Sequence, residues 1–147
     1  MKKVLLLVVA MLTIGIADAQ IAVQQSKGSY DVVWKSVAGS CPRLVCFNLS
    51  TGDRYLTLSF TTTNQFDDVL TLSLGGMDEA KESLSVLGNL SFDDRKVYHL
   101  KDDRGEPFMI SYSGLNNYEI SKKGYAGNAY VSVGQLSKML AALMQYQ

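Results

Sequence analysis

Histidine is almost missing from this chain. His99 stands alone among 147 residues, and one imidazole cannot build the multi-histidine sites that hold catalytic zinc. Cysteine is nearly as scarce. Cys41 and Cys46 form a Cys-x4-Cys pair, which is not the Cys-x-x-Cys of thiol–disulfide catalysts. No Gly-x-Ser-x-Gly elbow occurs, so the usual frame for a serine nucleophile is missing. Phosphate-binding glycine loops are missing too. Gly75-Gly76 lacks the following lysine, and Gly124 and Gly127 sit in no strand-to-helix setting. Basic residues form no block beyond pairs such as Lys122-Lys123. That argues against nucleic acid and against adhesion to an anionic membrane as partners.

The longest apolar run lies at the start. Lys2 and Lys3 precede a run from Val4 to Ile16, and Ala17-Asp18-Ala19 supplies small residues before Gln20. This is the three-part layout of a cleaved secretory signal. The run falls short of the roughly 20 residues that span a bilayer, and no second run of spanning length follows. The sequence therefore predicts a signal over 1–19, export to the periplasm or the extracellular space, and no stable membrane insertion after cleavage. The remaining chain carries twelve basic and thirteen acidic residues. Its length fits one domain with a sizeable core, with a flexible leader over 20–29 and one globular domain over 30–147.

An oxidising compartment invites a Cys41–Cys46 disulfide. Five extended steps span about 16 Å, whereas bridged Cα atoms lie roughly 4.4–6.8 Å apart. Pro42 could start the turn a bridge needs, but Leu44-Val45-Cys46-Phe47 reads as a strand. The alternative is Cys46 as a small buried hydrophobe.

Along the body, periods of two dominate. Leu56, Leu58 and Phe60 alternate with Thr57, Ser59 and Thr61, and Leu70, Leu72 and Leu74 alternate with Thr71 and Ser73. Such alternation predicts antiparallel strands with one dry and one wet face. Further strands are expected over 30–37, with Tyr30, Val32 and Trp34 on one face, and over 44–49, 96–101, 107–113, 118–121 and 129–131. The period changes at Ala80, Leu84 and Leu87, predicting a helix near 77–90 with Asp78 and Glu79 at its positive end. Ser132 and Gln135 match a capping box ahead of a second helix near 133–146. The expected fold is two-layer α+β, an antiparallel sheet of seven or eight short strands packed against two helices. Leu72-Ser73-Leu74-Gly75 is echoed by Val131-Ser132-Val133-Gly134, which raises a tandem duplication of strands followed by a helix.

Acidic pairs recur at Asp67-Asp68, Asp93-Asp94 and Asp102-Asp103, the last followed by Glu106. Converging carboxylates can bind calcium or hydrolyse glycosides. None of these pairs has the spacing of a calcium loop, and their place between elements fits solvated turns. No metal site and no cofactor is expected. The segment Ser111–Ser132 is dense in tyrosine and asparagine. Tyr112, Asn116, Asn117, Tyr118, Tyr125, Asn128 and Tyr130 make a composition suited to recognition, with broad rings on few rotors beside adaptable amides. The reading is a non-catalytic binding module for a protein, peptide or glycan, using these loops or the Ser/Thr sheet face. A secreted hydrolase with scattered Asp and Glu is the first alternative. An assembly subunit that pairs through a sheet edge is the second.

Overall fold

The computed structural model describes residues 28–63, 69–91 and 96–147. The expected signal and residues 20–27 of the expected leader lie outside the described residues. Ser29, placed in that leader by sequence, already belongs to a strand and pairs with Asn48. In chain order the elements are β1 (Ser29–Lys35), β2 (Arg43–Asn48), β3 (Arg54–Thr61), β4 (Val69–Gly75) and α1 (Met77–Gly88), then β5 (Val97–Lys101), β6 (Pro107–Gly114), β7 (Asn117–Lys122), β8 (Ala129–Ser132) and α2 (Val133–Gln145). The α+β class holds. The strands form two four-stranded antiparallel meanders, β1-β2-β3-β4 and β5-β6-β7-β8, where the sequence reading had one sheet.

Four strands followed by a helix thus occur twice. The tetrapeptide echo is not what aligns the halves. Leu72 lies inside β4, five residues before α1 begins, whereas Val131 lies two residues before α2 begins. The echoed residues fall at different places in the two units.

Period two explains the first sheet. Leu44, Leu58 and Leu72 are cross-strand partners, as are Cys46 and Leu56, and Phe60 and Leu70. Opposed residues share a face, so these side chains form one apolar layer, all of it buried. Phe108, Ile110, Ile120 and Val131 do the same for the second sheet. Ala80, Leu84 and Leu87 of α1 and Leu136, Met139 and Leu143 of α2 join them in one continuous core. Truncating a fully buried leucine such as Leu58 to alanine is expected to cost about 2–5 kcal/mol.

One face assignment is overturned. The β1–β2 register shifts between Val32 and Trp34. Tyr30 and Val32 oppose Phe47 and Val45 on the outer face, while Trp34 opposes Leu44 on the core side. A bulge inserts one unpaired residue, and every later side chain changes sides.

The helices start by different means. At α2 the capping box is complete. Ser132 Oγ accepts from Gln135 N at 3.1 Å, and Gln135 Oε1 accepts from Ser132 N at 2.9 Å. At α1 the N-cap is Gly76, with no side-chain cap. Asp78 and Glu79 in the first turn favour the helix there through the dipole. Gly75 has φ +80°, and a Cβ on it would lie 2.7 Å from Asp103 Oδ1. Glycine is the residue that fits both demands.

The second sheet meets the first end-on. The β5–β6 turn reaches Ser73, where Asp103 N donates to Ser73 O at 2.9 Å. The end of β7 reaches Thr71 through Lys122 Nζ, which donates to Thr71 O at 3.0 Å. Asn128, just before β8, accepts from Thr63 N at 3.0 Å. The turn-bearing end of the second sheet therefore runs along the outer border of β4.

Candidate functional site

This end-on junction encloses a cleft. Its floor is the outer face of the first sheet, and its wall comes from the two turns of the second.

The wall is built on Asp102. Its Oδ1 accepts from Arg104 N at 3.1 Å and Glu106 N at 2.9 Å, the local turn that aspartate favours. Its Oδ2 accepts from Ser73 N at 3.2 Å and Lys122 Nζ at 3.1 Å. Lys122 Nζ also forms a close ion pair with Glu106. The Asp102 and Lys122 side chains are only 1% and 6% exposed. Burial pushes the Asp102 carboxyl up, but the N–H groups of Ser73 and Glu106 and the Lys122 ammonium outweigh it and hold it below the ordinary carboxylate value. Burial likewise disfavours the Lys122 ammonium, and the Glu106 and Asp102 carboxylates reverse that, leaving it above the usual lysine value. Both groups stay charged near neutrality, and both are saturated with partners. Asp102 is thus an inter-sheet staple, not the solvated turn residue expected of an Asp-Asp pair. Held ionised, it is unsuited to donate a proton as a general acid.

The cleft has a volume of about 440 Å³. Val45, Thr57, Ser59, Thr71 and Ser73 form its floor, with Phe47 toward the β1 side. Arg104, Glu106, Lys122 and Tyr125 stand along the wall. Ser73 was expected on a wet face but is 5% exposed, because the Asp102 turn covers it. Tyr55 Oη is hydrogen-bonded to Ser73 Oγ. Arg104 lies over the Tyr55 ring, 5.4 Å from its centroid, and its Nε donates to Tyr55 Oη at 3.3 Å. Hydrogen bonding to Tyr55 pushes the Arg104 pKa further up. A stacked guanidinium of this kind is pre-organised for a planar polar group. The cleft offers the hydroxyls of Thr57, Ser59 and Thr71, apolar and aromatic surface at Val45 and Phe47, and a fixed cation stacked on Tyr55, the cross-strand partner of Phe47.

A second, smaller cleft of about 220 Å³ lies where β4 and α1 meet the end of β5. Leu72, Leu74, Val86, Leu87, Leu100 and Phe108 supply its apolar lining, with Glu82, Lys101 and Asp103 among its polar lining residues.

The seven Tyr and Asn candidates do not gather. Tyr112, Asn116 and Asn117 sit at the β6–β7 hairpin, while Tyr125 and Asn128 lie beyond the other end of β7. Five strand residues, Tyr118 to Lys122, at about 3.3 Å each separate these groups. Tyr118 is in the core, 3% exposed, so it cannot present a recognition ring. It shares strand parity with Ile120, and that parity was a legible signal. Asn128 Nδ2 is hydrogen-bonded to Glu119, and half-buried Tyr130 opposes Glu119 across the strands. Of the seven, Tyr125 lines the larger cleft. Lys122, Asp102 and Arg104 were missed as site residues. Lys122 follows Tyr118 and Ile120 at period two, which points it inward.

Both cysteines are free thiols. Cys46 is held in the core by β2, which is extended from Arg43 onward, and Cys41 precedes that strand. A bridge would need a turn where the strand runs. His99 is exposed on β5 and buried Cys46 belongs to the other sheet. Asp67-Asp68 and Asp93-Asp94 lie outside the described residues. Among the described residues, no group of three or more His, Cys, Asp or Glu could hold a metal ion, and no helix is long and apolar enough to cross a membrane. No family model, curated protein or solved structure matches the chain.

Proposed function

We propose that this chain is a non-catalytic binding module that takes a peptide segment of a partner protein in the larger cleft. The observation that carries this reading is the cleft's composition. Thr57, Ser59 and Thr71 hydroxyls lie beside the cross-strand pair Phe47 and Tyr55, over whose tyrosine ring Arg104 is stacked. A peptide has both apolar side chains and amide groups to meet such a surface. The saturated Asp102–Lys122 pair supports binding over catalysis, since it leaves neither group free for proton transfer. The basic head, the apolar run 4–16 and the Ala17-Asp18-Ala19 segment support a place of action outside the cytoplasm.

The test is selection of a displayed random-peptide library on the purified chain, beside a glycan array. Peptides retained by the native protein are expected to lose at least about 10-fold in affinity with Thr57→Arg, which fills the cleft, and with Phe47→Ser. Retention of glycans alone, lost in the same variants, would replace the peptide with a glycan. Ligands that bind both variants as well as the native protein would remove the cleft from the reading.

A further inference from the structure

The β6–β7 hairpin closes on a two-residue turn. Gly114 opposes Asn117, and the residues between, Leu115 and Asn116, have φ of +51° and +60°. Positive φ at both positions defines a turn that favours Asn-Gly or Asp-Gly. Asn116 suits it. Leu115 does not, because its aliphatic side chain cannot offset the strain of this region with the local hydrogen bond that a short polar side chain makes. Its side chain gains nothing from the fold in return, being 92% exposed. A residue both strained and exposed points to a contact outside the monomer.

The same chain carries a hole that fits it. The smaller cleft of about 220 Å³ is lined by Leu72, Leu74, Val86, Leu100 and Phe108. Phe108 is near the first residue of β6, and the Leu115 turn follows its last. Knob and hole therefore lie at opposite ends of one strand, roughly 20 Å apart, and Leu115 cannot fill the hole of its own molecule. Next to the knob are neutral groups, Tyr112 Oη accepting from Asn116 N at 3.4 Å and the Asn117 amide. They bring no unpaired charge to the Glu82, Lys101 and Asp103 side chains of the hole.

We propose that the chain self-associates head to tail, with Leu115 of one copy seated in the β4–α1–β5 cleft of the next. The two contact surfaces differ, so the interface is heterologous and extends into a row unless its rotation closes a ring.

Sedimentation of the purified chain over a wide concentration range tests this. Native protein is expected to show a mass that rises with concentration. Leu115→Asn relieves the turn, so it keeps the fold and raises the melting temperature while losing association. Val86→Arg, at a half-exposed helix position in the hole, is expected to lose association as well. Mixing the two variants is expected to restore one interface, giving a dimer that grows no further, since one variant keeps the hole and the other the knob. A native chain that stays monomeric throughout would overturn the proposal. So would association unchanged by Leu115→Asn, or a mixture that stays monomeric.

Discussion

The two borders of the first sheet are treated differently. Along β4, Ser73 N donates to Asp102, Ser73 O accepts from Asp103 N, and Thr71 O accepts from the Lys122 ammonium. Along β1, no described strand continues the sheet, and Tyr30 and Val32 stand exposed on its outer face. A free strand border is a template for unwanted pairing, and proteins blunt it with charge, bulges or cover. Here β4 is covered by turns from the second half, while among the described residues β1 has its bulge at Val32/Trp34 and a flanking helix end, where Tyr146 Oη donates to Asp31 at 2.7 Å. The second half therefore acts on the first as a cap, and the cleft is the space the cap leaves over the sheet.

Breaking the cap should have the largest effect. Lys122→Met leaves the buried Asp102 carboxylate without its cation and is expected to cost about 3–5 kcal/mol, read as a lower denaturant midpoint. An unchanged midpoint would mean the junction does not contribute to stability. Gly75→Ala attacks the same junction through the backbone. Its positive φ and the 2.7 Å approach to Asp103 predict a loss of roughly 1–2 kcal/mol, seen in thermal melts. Ser132→Ala removes the α2 cap, away from the junction, and is expected to cost about 1 kcal/mol.

The cap should also set the pH range of stability. The Asp102 pKa is depressed, so its contribution is full above the unfolded value near 3.9 and fades as pH falls through the lower folded one. The Lys122 pKa is raised, so its contribution is full below about 10.4 and fades as pH rises through the higher folded one. Denaturation measured across pH should therefore show a broad neutral plateau, and Lys122→Met should remove the alkaline decline assigned to this pair. At the other border, Val32→Lys should change stability by no more than about 0.5 kcal/mol. A larger loss would show that the outer face of β1 is better packed than its exposure indicates.

Much of this fold was legible because its signals are local. Leu56-Thr57-Leu58 declares a strand by itself, and Ser132 with Gln135 declares a helix start. Nothing local tells β5 that it opens a new sheet, since its alternation would read the same beside β4. The Trp34 face was lost to one inserted residue in β1, which leaves no mark in composition. The cleft was half legible. Its hydroxylated floor followed from period two, whereas its wall depends on Asp102 meeting Ser73 across 29 positions. Tyr118 and Lys122 show a different failure. Their inward parity is readable, but the tyrosine and asparagine content around them matches that of an exposed recognition surface.

Thr71 and Lys122 are 51 positions apart, and that interval is also a time. At about 5–20 residues per second, synthesis leaves roughly 3–10 s between the appearance of β4 and of the lysine that covers it. During that interval the nascent first half carries a finished strand with an open side, so the newborn chain is most exposed to aggregation until Lys122 emerges.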